Sequence, residues 1–469
     1  MTAASFASRL LTLGGDRRIT VRPGQNTNQY GSSPFPRSTL GYASSTANDI
    51  SLPAFDHLQG VMAAWPEAAT SDGRFYADAL ESLRRRMRAA WRLNGDTQIV
   101  FAPSGTDLEY VALTLAGPKV TNVLIGADEV GSGCALSAGG RYFAKETALL
   151  AAAPKGAAIA GLEDTLIYDI AVRDKGGAPR SSDEIAAAIA QIAADAQSAG
   201  RTCLVHVVYG SKTGLILPAL DELHALMARF PGLKVVVDAC QARVTGKDIA
   251  ALLARDCIVL MTGSKFMGGP PFSGFALVPP AWADGAVIAP GLADVFRRGE
   301  WPESWPGCDV LPDGSNPGLL LRLEAALFEL ERFLAIDGER VDAVIGRFGH
   351  YVRALAAMLG AGLVAPCLAP GALHTSTLAT LDLTALPARP DFAAAQRLHK
   401  VLAARGLRLG QPVKCIPQAG GWGGTLRLSL SMPLIGELAA LGNEELDIRL
   451  SKDMGRIGAV IAAAQRIVA

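Results

Sequence analysis

Two segments of this chain carry residues that could do chemistry. "VVVDACQAR" (Val235–Arg243) runs an apolar strand into an aspartate, and "MTGSKFMGGPPFSGFALVP" (Met261–Pro279) runs another into a hydroxyl-flanked lysine. The amine of Lys265 can condense with an aldehyde, and the carboxylate of Asp238 can keep a pyridine nitrogen protonated. Pyridoxal phosphate (PLP) needs those two groups, because the protonated ring then accepts electrons from a bound amine. At the carboxyl ends of neighbouring parallel strands, both would converge on one cleft. Thr262 and Ser264 stand just before Lys265 and a Gly/Pro-rich run follows it, so a ring could approach the backbone and hydroxyls could reach a phosphate. Taken singly, Lys265 also reads as a loop lysine, Asp238 as a helix N-cap, and Gln241 as an ordinary polar loop residue rather than a neighbour of the ring hydroxyl. Their juxtaposition argues for a site.

A third segment, "FAPSGTDLEYVALTLA" (Phe101–Ala116), reads as strand, Ser-Gly-Thr turn, helix. Free N–H groups at a helix start, with hydroxyls on either side of a glycine, make an anion cradle. Ser104, Gly105 and Thr106 are therefore the expected phosphate cup; the alternative is a capped helix that binds nothing. The glycine–lysine spacing of a P-loop is missing.

The elements around these residues follow from the apolar pattern. Continuous apolar runs ("QIVFAP", "NVLIGA", "CLVHVVY", "KVVVDAC", "CIVLMTG", "GFALVP") alternate with helical stretches such as Phe75–Leu93 and Ser182–Ser198. That alternation predicts an α/β fold with a mainly parallel, doubly covered sheet. After "DGSNPG" the pattern changes. Helices are expected from near Asn316, over Gly338–Leu359, Asp391–Arg405 and Glu444–Ile467, with strands in "HTSTLATLDL", "LRLGQPV" and "TLRLSL". The expected division is an extended N-terminal arm over 1–60, a large domain over 61–315 and a smaller α+β domain over 316–469.

Composition narrows the function classes. Lysine plus arginine equals aspartate plus glutamate at 44 each, so no electrostatic footprint for nucleic acid or an acidic membrane is expected. Seven dispersed cysteines without a CxxC pair fit a reducing cytoplasm. The six histidines show no metal-ligand spacing, and His206, inside an apolar strand, reads as a core residue. The start of the chain has no signal-peptide pattern, and no uninterrupted apolar run reaches membrane-spanning length. A cytoplasmic globular protein is expected.

With these motifs in order, the chain resembles the fold-type I PLP-dependent enzymes, in particular the class V aminotransferase and cysteine desulfurase branch. In that family a Ser-Gly-Thr turn binds phosphate, as "PSGTDLE" would here, and a "VDAxQ" segment supplies the ring-nitrogen acid and a glutamine, matching Asp238 and Gln241. The family's lysine follows a short hydroxyl-containing string, matching Thr262, Ser264 and Lys265. "GSNPGLLLRLEAALFEL" resembles a helix start whose hydroxyl, here Ser315, reaches a partner subunit's phosphate. "GTLRLSLSMP" resembles a strand whose arginine, here Arg427, grips the substrate carboxylate.

The resemblance implies the PLP-dependent type I transferase fold, PLP as cofactor, an amino acid substrate, a homodimer with shared sites, and an arm that touches substrate, for which Asn26 is the candidate, with Thr27, Asn28 and Tyr30 beside it in one polar cluster. It also has departures. The family's Asn-Glu-Thr-Gly appears as "SKTG", which puts Ser211 where an asparagine contacts the cofactor. Ser264 replaces a histidine, and "GADEVGSG" offers Glu129 where a ring-stacking histidine is usual. Three functions follow: a transferase or lyase acting through Lys265, a cysteine desulfurase or C–S lyase using Cys415, and a non-catalytic binding module.

Overall fold

The computed structural model describes residues 3–21, 24–283, 287–364 and 377–468. Strand β1 (Leu40–Tyr42) belongs to the N-terminal segment. The large sheet is built from β2 (Gln98–Ala102), β3 (Val120–Ile125), β4 (Thr165–Ile170), β5 (Thr202–Tyr209), β6 (Ile216–Leu217), β7 (Lys234–Asp238), β8 (Ile258–Thr262) and β9 (Gly274–Val278). Their order is β2-β9-β8-β7-β5-β3-β4, with β6 added to β5. Strands β8, β7, β5, β3 and β4 run parallel. Only β9 reverses direction in this path, lying antiparallel to β2 and β8.

Alternate residues of β7 and β8 enter different cores. Val235, Val237, Val259 and Met261 pack in one cluster, and Val236, Ile258 and Leu260 in another. Burial on both faces is why these strands read as unbroken apolar runs. Strand β4, "TLIYDI", is absent from the strands expected from sequence. It is an edge strand with Leu166, Ile167 and Tyr168 exposed, so it lacks the doubly buried pattern.

Helix starts agree closely with local chemistry. Ser181 and Glu184 close a capping box at the head of Ser182–Ser198. Asn316 caps Pro317–Leu334, accepting from the Leu319 amide. Helix Gly73–Trp91 buries Leu80, Leu83, Met87 and Trp91.

The C-terminal region carries a three-stranded antiparallel sheet of Gly362–Leu363, Leu378–Asp382 and Thr425–Ser429. The beginning of "HTSTLATLDL", with His374, lies outside the described residues, as does Cys367. The arm, expected to be extended, contains helix Ala3–Leu10, and Ala7 and Leu10 pack on Leu321 and Ala325 of the helix that follows Asn316. Strand β1 pairs in parallel with Leu407–Leu409, so the first and last parts of the chain share structure. Among the described residues no helix is long and apolar enough to cross a membrane.

Candidate active site

Asp238 ends β7 and Lys265 lies three residues beyond β8, and these strands are parallel neighbours with Asp238 opposite Leu260. Both side chains therefore emerge at the same sheet edge, where they line one cavity of about 270 Å³, close to the lower end for small-molecule sites. Ser104, Gly105, Thr106, Glu129, Ser211, Gln241, Thr262, Ser264 and Arg427 line it too. Thus most of the residues singled out from sequence meet around one space.

Asn26 and Ser315 stand apart from it. Asn26 is exposed, and Ser315 donates to the carbonyl of Thr70 at 2.6 Å; neither lines the cavity. The arm reaches the cavity through Tyr30, of the same polar cluster, and through Arg18, Ser45, Thr46 and Ala47, a correction to the choice of Asn26 within that cluster. The arm segment around Asn26 has no periodicity to show which of its polar residues turn inward.

The lysine turn is clamped from the arm. Asn48 Nδ2 donates to the carbonyls of Lys265 (2.6 Å) and Ser264 (3.1 Å), and the Gly268 amide donates to the Lys265 carbonyl. Gly268 takes φ +85°, where a side chain would be strained. No carboxylate pairs with the Lys265 ammonium among the described residues. Asp238 Oδ1 accepts from the Cys240 amide at 2.8 Å, which fixes the carboxylate at the strand end.

The Ser-Gly-Thr turn approaches the β8 end closely. A Cβ at Gly105 would stand 2.7 Å from Thr262 Cγ2, so a side chain there would push the two walls apart. Ser104 Oγ donates to Asp107 Oδ2 at 2.6 Å and Thr262 Oγ1 donates to the Cys240 carbonyl at 3.0 Å. These two hydroxyl protons already have acceptors, which leaves the turn's backbone amides and Thr106 as the readiest donors to an anion. Burial pushes the Asp107 carboxyl up to about 6.

Gln241 is oriented from behind. Its Oε1 accepts from Arg243 NH1 at 2.8 Å, and its Nε2 donates to the Ser45 carbonyl at 3.4 Å. Ala242 follows at φ +57°, and cavity-lining Phe272 sits at φ +71°. Such backbone costs about 1–3 kcal/mol each and persists only where neighbours over-determine it. Arg322 does this for Phe272, donating to its carbonyl at 2.7 Å.

Glu129 and Ser211 meet each other. Glu129 Oε2 accepts from Ser211 Oγ at 2.7 Å, and its carboxylate also takes the Thr213 hydroxyl and Arg173 Nε. This carboxylate is spent on a buried wall of the cavity. Arg173 and Thr213, its partners, were not anticipated, because nothing in their local sequence marks them.

Arg427, 3 % exposed, lies on Thr425–Ser429 and has only neutral partners. Its Nε donates to the Gln411 carbonyl (2.8 Å), NH1 to the Lys212 carbonyl (3.1 Å) and NH2 to Thr46 Oγ1 (3.2 Å). Burial lowers its pKa to about 10. Among the described residues no carboxylate pairs directly with this buried guanidinium, although Glu129 favours its charge through space. Such burial is costly, and an arriving carboxylate would relieve that cost.

Cys415 does not line the cavity; it is buried, and burial pushes its thiol up to about 11. Cys134 and Cys240 do line it, with burial raising both thiols well above their ordinary value. His206 faces Glu109 at 2.9 Å inside the core, in keeping with its expected place. Among the described residues no group of His, Cys, Asp and Glu could hold a metal ion.

No family model and no curated protein matches the sequence. Solved structures match over most of the chain. A NifS-like protein from Rickettsia africae aligns with TM-score 0.57 at 13% identity, covering 91% of this chain and 99% of that one. Serine palmitoyltransferase from Sphingomonas wittichii aligns with TM-score 0.55 at 14% identity, covering 91% and 86%. Pyridoxamine-pyruvate aminotransferase from Mesorhizobium loti aligns with TM-score 0.52 at 18% identity, covering 92% and 97%. Serine palmitoyltransferase also matches in a form solved with PLP. The chain has the PLP-dependent type I transferase fold of these structures.

Proposed function

We propose that the cavity is the active site of a PLP-dependent transferase or lyase acting on an amino acid or amine. The single observation that carries this reading is the meeting of Lys265, Asp238, the Ser104–Thr106 turn and Arg427, which makes no ion pair among the described residues, around one space. The donor set fits the cofactor: an amine without a carboxylate partner, a carboxylate at a strand end, an amide-rich turn and a glutamine held in one orientation. When bound, PLP supplies an electron sink for charge developing next to the substrate amine.

Lys265 Nζ would hold the aldehyde carbon and, once displaced by the substrate amine, move a proton at the substrate α-carbon. Asp238 would keep the pyridine nitrogen protonated. The amides of Gly105 and Thr106, with Ser104, Thr262 and Ser264 around them, would anchor the phosphate. Gln241 would present its amide N–H₂ to the ring oxygen, because Arg243 occupies the other end of that amide. Arg427 would orient the substrate carboxylate through its planar fork. Which bond at the α-carbon then breaks depends on how the substrate is held. A homodimer in the cytoplasm, with Ser315 directed at the partner's site, completes this reading.

Loading purified protein with PLP is expected to give a visible absorption band, and borohydride should then fix the cofactor to the peptide containing Lys265. Protein that stays colourless, or that is tagged at another lysine, ends the proposal. The buried, high-pKa thiol of Cys415 argues against a sulfur-carrying role, since the thiolate is the nucleophile. Cys415→Ser is therefore expected to leave PLP loading and amino acid turnover at the parental level. Abolition of sulfide release by that change would reinstate the desulfurase.

A further inference from the structure

Four cations line the cavity, Arg18, Lys212, Lys265 and Arg427, against two carboxylates, Glu129 and Asp238. The pairings already made decide which charges stay open. Arg18 is gripped by Asp16, with Nε to Oδ1 at 2.9 Å and NH2 to Oδ2 at 2.7 Å, and lies between the rings of Phe143 and Phe272. Glu129 is paired with Arg173. Lys265 and Asp238 belong to the cofactor. Two cations remain, and neither has a carboxylate partner among the described residues: Lys212 and Arg427.

These two share a wall. Arg427 NH1 donates to the backbone carbonyl of Lys212, and Lys212 Nζ donates to the carbonyl of Asp128 at 3.1 Å. Lys212 is half-buried, while Arg427 is buried. Burial, then Arg427, then Lys265 lower the Lys212 pKa, as happens to a cation crowded by cations. Sequence shows only that a lysine occupies the second position of "SKTG"; the fold turns it to the cavity.

We propose that Lys212 and Arg427 form a two-point anion subsite, so that the substrate is an amino acid with a second acidic group at its far end, a dicarboxylic amino acid or an acidic analogue of one. This rests on the reading above for the α-carboxylate at Arg427. The Lys212 ammonium takes the distal acid, and a neutral side chain would leave Lys212 without a direct ion-pair partner.

The test is calorimetric titration of the full chain, before and after PLP loading, with glutarate and with pentanoate, acids of equal length that differ by one carboxylate. Glutarate is expected to bind about tenfold tighter or more, the scale of one charge-assisted contact. Lys212→Met should reduce glutarate to the pentanoate level, and Lys212→Arg should keep most of the difference. Equal affinity for the two acids, no measurable glutarate binding, or a preference that survives in Lys212→Met overturns the subsite. Neither probe carries an amine, so neither can displace Lys265 from the cofactor, and the Lys212→Met arm separates binding at Lys212 from binding at the open Lys265 of the unloaded protein. Borohydride fixation at Lys265 without glutarate preference rejects the subsite alone, and glutarate preference without fixation rejects the cofactor reading alone.

Discussion

Lys265→Ala protein is expected to exchange the α-hydrogen of any amino acid that the parent activates about 10²–10⁴-fold more slowly, the usual contribution of a positioned acid–base group. It should also release PLP on gel filtration after borohydride treatment, because no amine remains to be fixed. The fold should survive. The turn is held through backbone carbonyls by Asn48 and Gly268, and these contacts do not involve the Lys265 side chain. Hydrogen–deuterium exchange at the α-carbon, followed by mass spectrometry, reads the effect whichever bond breaks later. Undiminished exchange with an unchanged melting temperature would remove Lys265 from the chemistry.

Arg427→Leu is the second large effect. Removing one partner of a buried charged contact typically costs about 2–5 kcal/mol, which corresponds to roughly 30-fold to several thousand-fold in affinity. Carboxylate-bearing ligands should weaken on that scale, whereas amines of similar size without a carboxylate should bind as before. Among the described residues no carboxylate pairs with the guanidinium, so the loss of its charge is felt mainly by the ligand. Arg427→Lys should recover part of the affinity, because an ammonium supplies charge but not the planar fork. If Arg427→Leu binds carboxylates normally, the arginine is a structural strut between the small domain and the arm.

Much of the architecture could be read from local pattern. Doubly buried strands show as apolar runs, and helices open on capping residues such as Ser181 and Asn316, because these signals arise within a few residues of chain. Strand β4 escaped because an edge strand with exposed Leu166, Ile167 and Tyr168 lacks the pattern of burial on two faces.

The amino acid order by itself determined the two strand ends and the turn that supply Lys265, Asp238 and Ser104–Thr106, since each is set by its own neighbours. Tertiary structure alone decided the rest of the wall. Arg18 and Thr46 of the arm, Lys212 of the turn between β5 and β6, and Arg427 of the last strand come together across long stretches of chain, and Glu129 is taken out of play by Arg173. Asn26 and Arg18 look equally available in the sequence, yet one is exposed and the other lines the cavity. Side-chain charge is a local property, but whether that charge is paired or left open depends on which distant groups the fold brings within hydrogen-bond reach.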